Sequence, residues 1–325
     1  MKRDLLKLQL RHLPLQDVEE RLQFYKSQLQ KELRKKGIHF DFHIWVSDDW
    51  FCPDGIPGFA VPFYLFHPEL MKLHKQKTGL VEGRSDAEIL KLMRHELGHA
   101  IDNAFGLRKN KERKAVFGDS KKEYPEFYSP QKYSRSYVNY LGDNYAQSHP
   151  DEDFAETFAY WLDPKKQWKK KKFSKVLTEK LKLMNQLMKE LENKKPILKN
   201  KYRDTAIDKQ KITLGEFYLR VLKQPQHQTY KKLDQNITKV FKKHSQDGIP
   251  VAQYLKTNGE KISDQLSEQE GVYQYETIRG LNILIRRVKS LGLRASRTDL
   301  KSKTPSLIQW NFRYLYKKDQ LKFFL

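Results

Sequence analysis

The segment DAEILKLMRHELGHAIDNAF, residues 86–105, constrains this chain more than any other part of its sequence. Ser85 and Glu88 have the spacing of a capping box, which predicts that a helix begins at residue 86. Apolar residues recur through the segment at helical spacing, and Gly106 stands where a C-terminal cap is expected. The sequence therefore predicts a helix over residues 86–105 with one face in a protein core.

The same helix contains the pattern H-E-x-x-H. Residues four apart share a helix face, so His95 and His99 can direct two imidazoles at one tetrahedral zinc ion. Glu96 is placed to reach a zinc-bound water and to act as its general base. Gly98 is unfavourable in a helix by about 1 kcal/mol relative to alanine. Its presence is explained if another backbone, or a substrate, must approach this face closely.

Zinc needs a third protein ligand, and one known arrangement is excluded. The extended metzincin pattern requires glycine at position 102 and histidine at position 105, where this chain has Asp102 and Phe105. The other common arrangement takes a glutamate from a later helix. Asp102 is then either a residue that supports a ligand or an ordinary surface acid.

The segment YAQSHPDEDFAETFAYWL offers such a glutamate, on a helix predicted over residues 149–162 with Ser148 as its cap. Glu152 and Glu156 are four apart and share one face. We expect Glu152 to bind the metal and Glu156 to accept a hydrogen bond from a ligand histidine. Ala155 and Ala159, on or beside this face, would allow close packing against the first helix. His149, Asp153 and Glu156 remain rival third ligands.

Other elements are predicted more coarsely. Helical spacing predicts helices over residues 15–36 and 173–193, and the segments GIHFDFHIWVS and FAVPFYLF read as strands. Pro62 suits a strand edge or end, and an extended substrate could lie along residues 58–66. Residues 107–143 read as a tyrosine-rich loop. We place a domain boundary after residue 195, with residues 196–325 forming a mainly helical basic domain of unknown role.

Composition narrows the partners only slightly. The formal net charge is +23 with 63 basic and 40 acidic residues, which would attract a nucleic acid or another polyanion. The lone Cys52 excludes an internal disulfide. The charged N-terminus does not resemble a signal peptide, and no stretch reaches the roughly 18 apolar residues of a membrane span. The expected location is the cytoplasm, without a transmembrane segment.

The two segments RHELGHAIDNAF and YAQSHPDEDFAETFAYWL resemble those of a bacterial family of zinc-binding metallopeptidases. Upstream residues IWVSDDWFCPDGIPGFAVPFYLFHPEL are also similar to that family, so that the clear resemblance covers residues 38–192. A more distant resemblance is to the catalytic domain of anthrax lethal factor, a zinc peptidase of gluzincin type. That resemblance implies that Tyr145, seven residues before Glu152, points its hydroxyl at the metal-bound oxygen. Asp153 departs from it, since the distant relative has phenylalanine there.

Together these features predict an α+β fold, with a zincin-like catalytic domain over residues 1–195. The predicted function is a zinc-dependent hydrolase of peptide or amide bonds, with Glu96 as general base and Tyr145 stabilising the oxyanion. Two alternatives remain. One is a non-catalytic basic protein that binds a polyanion and has a structural or relic zinc site. The other is a zinc hydrolase of a non-peptide amide.

Overall fold

The computed structural model describes residues 2–78, 81–124, 131, 134–142, 144–221, 227–241, 248–270 and 274–316. The strands in this part of the chain are β1 (His43–Ser47), β2 (Gly58–Pro62), β3 (Ile249–Pro250) and β4 (Arg294–Ala295). The α-helices there are α1 (Lys2–Leu5), α2 (Val18–Arg34), α3 (Pro68–Thr78), α4 (Asp86–Phe105), α5 (Lys111–Phe117), α6 (Pro150–Leu162), α7 (Lys175–Glu190), α8 (Leu214–Val221), α9 (His227–Val240), α10 (Val251–Thr257), α11 (Gly259–Glu270), α12 (Gln274–Ser290) and α13 (Arg297–Tyr316).

The fold is mostly helical with a small two-stranded parallel sheet, which is consistent with the predicted α+β class. The more specific zincin-like assignment stays a prediction. Among the described residues, no helix combines the length and the apolar character that crossing a bilayer would require.

The chain divides into two compact units. The N-terminal unit comprises Leu8–Lys72 and Glu82–Ile212, and the C-terminal unit comprises Met1–Lys7, Leu73–Val81 and Thr213–Leu325. This division differs from the boundary predicted after residue 195, because residues 196–212 bond to the N-terminal unit. Ile197 N donates to Ala104 O at 2.8 Å, Trp45 Nε1 donates to Asp204 O at 2.8 Å and Ser47 Oγ donates to Thr205 O at 2.8 Å.

The parallel sheet pairs β1 with β2, in the register Trp45 opposite Ala60. All five residues of β2 are buried, and Pro62 ends the strand, as its missing N–H favours. Ala60 N also donates to Phe51 O at 2.8 Å in an antiparallel bridge. This bridge occupies the edge of β2 at Ala60, and residues Phe63–Phe66 form a 3-10 helix where a strand was predicted. That a substrate lies along residues 58–66 stays a prediction.

Helix α4 has the bounds that its sequence predicts. Ser85 Oγ accepts a hydrogen bond from Glu88 N at 3.3 Å, and Gly106 ends the helix in the left-handed region at φ 62°. The reciprocal half of the predicted capping box differs, since Glu88 Oε2 accepts from Arg84 N at 2.9 Å. Every residue from Met93 to Phe105 is buried, so the H-E-x-x-H segment lies inside the protein.

Helices α4 and α6 pack closely at Gly98. A Cβ atom at this position would lie 3.0 Å from Ala155 Cα and 3.2 Å from Ala155 O, which is tighter than ordinary van der Waals contact. The glycine predicted to permit close approach therefore faces the backbone of α6. This approach fixes how far the first turn of α6 lies from the histidines of α4.

The start of α6 corrects one prediction. His149, rather than Ser148, is the N-cap: its Nδ1 accepts from Asp151 N at 3.2 Å, while its Nε2 donates to Lys122 O at 2.7 Å. The Ser148 hydroxyl instead donates to Tyr145 O at 2.7 Å. His149 is the N-cap because both nitrogens of its imidazole form hydrogen bonds with backbone groups at this position.

Helix α5 is a second correction, because it lies in the segment predicted to be loop. Asn110 caps it by accepting from Arg113 N at 3.0 Å. Residues 125–130, 132–133 and 143 of the same predicted loop lie outside the described residues.

The C-terminal unit contains helices α8 to α13 and an antiparallel pair of two-residue strands, β3 and β4. Its buried core gathers apolar residues of α9, α10, α12 and α13, among them Ile237, Leu255, Leu284 and Ile308. Two earlier segments join this unit: Gly215 N donates to Leu6 O at 2.9 Å, and Asn282 Nδ2 donates to Thr78 O at 3.0 Å.

Candidate metal centre

Three buried side chains converge where α6 begins beside α4. Glu152 Oε2 lies 3.0 Å from His95 Nε2 and 3.2 Å from His99 Nε2. The two Nε2 atoms are themselves 3.2 Å apart. His95, His99 and Glu152 form a group of ligating atoms that could hold a metal ion, and all three residues are buried.

The donor set fits zinc. Two imidazole nitrogens and one carboxylate oxygen are the protein ligands of a common type of catalytic zinc site, in which a fourth position stays open. Separation by one helical turn places both imidazoles on one face of α4. The close contact at Gly98 brings in α6, whose residue Glu152 lies one turn before Ala155.

Glu156 contacts the imidazole of His95 through Nδ1, the ring nitrogen that does not face Glu152. Its Oε1 lies 3.2 Å from His95 Nδ1 and accepts a hydrogen bond from Nδ1–H, while Nε2 of the same ring faces Glu152 and His99. Glu156 Oε2 also accepts from the backbone N–H groups of Tyr140 at 2.8 Å and Leu141 at 3.0 Å. The carboxylate is fully buried, and these donors fix it in place.

The rival third ligands have other partners. His149 caps α6 through one ring nitrogen and donates to a backbone carbonyl through the other. Asp153 Oδ2 lies 2.7 Å from Lys180 Nζ in a buried ion pair. With Glu156 bound to His95, the geometry favours Glu152 as the carboxylate that faces both histidines.

Burial and the neighbouring groups have opposite effects on the pKa values of His95 and Glu152. Burial acts to lower the pKa of His95, but the hydrogen bonds that its imidazole donates to Glu152 and Glu156 outweigh burial and raise that pKa well above its usual value. Burial acts to raise the pKa of Glu152, yet the charge of His99 and the imidazole hydrogen bonds hold it well below its usual range. The carboxylate therefore keeps its negative charge inside the protein, as a cation-binding site requires.

Glu96 lies next to His95 on α4 and is buried, with 7% of its surface exposed. Burial raises the pKa of its carboxyl, while the charges of His95 and His99 act in the opposite direction. A carboxyl with a raised pKa is a better proton acceptor than a free glutamate, which suits a general base.

Two tyrosines border the group. Tyr145, which the sequence singled out, begins a short 3-10 helix before α6, and its ring centroid lies 5.5 Å from that of His95. Tyr124 was not singled out by the sequence, and its hydroxyl donates to Glu152 Oε1 at 2.8 Å. Tyr124 is separated from Glu152 by 28 residues with no helical or strand periodicity between them, so no spacing could have indicated this contact.

A buried cluster of charged side chains connects helices α4 and α6. Arg113 of α5 is fully buried, and its Nη2 donates to Asp102 Oδ2 at 2.6 Å and to Asp151 Oδ1 at 2.8 Å. Asp102 lies one turn after His99, and Asp151 immediately precedes Glu152. Asp102 is thus a buried residue and not a surface acid, and the guanidinium of Arg113 connects α4 to α6 beside His99 and Glu152.

The arrangement is a buried group of two histidines and one glutamate that could hold a metal ion, inside the N-terminal unit. Residues 67–225, just under half of the chain, match the family model described as "Putative zinc-binding metallo-peptidase". This segment contains all the residues that converge at the site. This segment is similar to that family of zinc-binding metallopeptidases.

Neither the curated proteins nor the solved structures return a match. The more distant resemblance to the catalytic domain of anthrax lethal factor is not shown by these comparisons. The position that this resemblance gives to the Tyr145 hydroxyl therefore stays a prediction.

Proposed function

We propose that this protein is a zinc-dependent hydrolase of peptide or amide bonds. One observation carries the proposal: His95, His99 and Glu152 bring three ligating atoms together in a buried group, with Glu96 adjacent on the same helix. The match of residues 67–225 to a metallopeptidase family supports the same reaction class and suggests a peptide substrate.

His95 and His99 would hold the metal through Nε2, and Glu152 through Oε2. When bound, zinc supplies a Lewis acid that makes water more acidic and polarises a carbonyl group. Glu156 contributes by holding the Nδ1–H of His95, which keeps the ring in the tautomer that presents Nε2.

Glu96 moves the proton in this proposal. Its carboxylate accepts a proton from water as the water attacks the amide carbonyl, and then delivers that proton to the leaving nitrogen. The raised pKa of Glu96 favours the acceptance step. Tyr145 would offer its phenol to the oxyanion that develops on the carbonyl oxygen.

The test separates metal binding from proton transfer. Protein purified in metal-free buffers and reconstituted with zinc is expected to bind one ion per chain, measured by elemental analysis. Glu96→Gln should retain that zinc and lose hydrolysis of a peptide library, whereas His99→Ala should lose the zinc. The exposed residues Glu179 and His39 provide matched controls as Glu179→Gln and His39→Ala, which should behave as wild type.

The proposal would be refuted if wild-type protein, reconstituted with zinc, did not bind the ion stoichiometrically. Zinc binding without hydrolysis of any peptide would favour the alternative of a zinc site with a structural role. A non-peptide amide substrate would also give zinc binding without cleavage of peptides, and it differs from a structural site by hydrolysis of a non-peptide amide that Glu96→Gln abolishes.

A further inference from the structure

The two oxygens of Glu152 have different surroundings. Oε2 faces His95 and His99, at 3.0 Å and 3.2 Å from their Nε2 atoms. Oε1 points to the other side, where it accepts the hydroxyl of Tyr124 at 2.8 Å. A hydrogen bond to a carboxylate is stronger than one between neutral groups, so this contact fixes the rotation of the carboxylate.

Tyr124 is held in place by the cap of α6. Its ring stacks on that of His149, with centroids 3.7 Å apart and planes at 14°. Both nitrogens of His149 are in turn hydrogen-bonded to backbone groups. The stacking on His149 therefore orients the Tyr124 ring towards Glu152, although 54% of the Tyr124 surface is exposed.

We propose that Tyr124 is a positioning residue that restricts Glu152 to binding the metal through one oxygen. The inference rests on the proposed zinc site. A carboxylate whose second oxygen is free can rotate and chelate a metal through both oxygens, which raises the coordination number. A phenol that holds Oε1 opposes this rotation and keeps one more coordination position available for water or substrate.

Tyr124→Phe tests this role with little disturbance elsewhere. The variant keeps the ring that stacks on His149 and removes only the hydroxyl. Because Tyr124 is exposed, the loss of this hydroxyl leaves no buried cavity. Tyr160→Phe is the matched control, because it removes a phenol from the other end of the same helix, α6.

Two measurements on the purified full chain decide the matter. The first is the zinc dissociation constant from competition with a chromophoric chelator. The second is the visible spectrum of the cobalt-substituted protein, in which four-coordinate Co²⁺ absorbs more strongly than five-coordinate Co²⁺. For Tyr124→Phe we expect the zinc dissociation constant to rise roughly tenfold, because removal of a ligand's hydrogen-bond partner typically weakens metal binding by about 10–100-fold. We also expect weaker cobalt absorption, with both values unchanged in Tyr160→Phe.

A merely structural role of Tyr124 would lower the melting temperature of the metal-free protein and leave the cobalt spectrum unchanged. That result would overturn the inference, as would a Tyr124→Phe protein that matches wild type in both metal measurements. Failure of the proposed function looks different, because wild type itself would then bind neither zinc nor cobalt stoichiometrically.

Discussion

Substitution of Gly98 by alanine should weaken metal binding from a distance. The added Cβ would lie 3.0 Å from Ala155 Cα and 3.1 Å from Phe158 Cδ1. The contact with Ala155 is with backbone, which cannot turn away as a flexible side chain can. Relief therefore requires α4 and α6 to separate by a few tenths of an ångström, and Glu152 moves with α6 away from the two histidines.

The magnitude follows from two opposing effects. Overpacking of a close contact costs about 1–3 kcal/mol. Alanine recovers about 1 kcal/mol relative to glycine within a helix. The free energy of unfolding should thus fall by about 0–2 kcal/mol for Gly98→Ala, while the displaced ligand should lower zinc affinity by about tenfold, which equals about 1.4 kcal/mol.

Chelator competition and urea unfolding of the metal-free protein measure the two effects separately. Larger side chains in a Gly98→Ser and Gly98→Val series should increase both. Ala87→Ser on the exposed first turn of α4 adds an atom to the same helix without such a contact and should change neither. If Gly98→Ala binds zinc as tightly as wild type, the close approach of the helices does not set the ligand geometry.

Three further outcomes follow from other buried groups. Arg113→Met should reduce the free energy of unfolding by about 3 kcal/mol, because it removes the buried cation nearest to Asp102 and Asp151 and leaves them only Arg108, at 3.6 Å and 3.3 Å; equal urea midpoints for variant and wild type would contradict this. Glu156→Gln should weaken zinc binding by about 10–100-fold, as measured by chelator competition, since the carboxylate that fixes His95 is lost; an unaltered dissociation constant would show that the backbone alone orients the ring. Burial lowers the pKa of His74 to about 3, so the unfolded chain takes up a proton near pH 6.5 that the folded chain does not. Stability should consequently be complete above pH 6.5 and decline as the pH falls from there towards 3; urea midpoints should show this, and His74→Gln should reduce the slope.

The sequence predicted α4 correctly because the causes of its bounds are local, whereas α5 was missed although Asn110 caps it locally. Helix α4 begins and ends where Ser85 and Gly106 indicate, because each cap bonds to backbone within four residues. Helix α6 runs to Leu162 as predicted, but its cap was assigned to the wrong residue. His149 becomes the cap through Lys122 O, which lies 27 residues away along the chain, and no local pattern reports such a partner.

The candidate site was likewise predicted from the sequence only in part. Spacing alone put His95 and His99 on one face and proposed Glu152 and Glu156 on another, and the structure brings the four together. Tyr124 could not be chosen among 17 tyrosines, because its contact with Glu152 depends on how the chain between them folds.

By itself, the sequence determined the bounds of α4, the presence of α6 and which of their faces carry imidazole and carboxylate groups, since these follow from a period of 3.6 residues and from caps within one turn. Tertiary structure decided that Gly98 meets Ala155, that Arg113 joins Asp102 to Asp151 and that a tyrosine holds Glu152 Oε1. These contacts depend on packing between segments distant in the chain, where distances of a few tenths of an ångström determine which atoms meet.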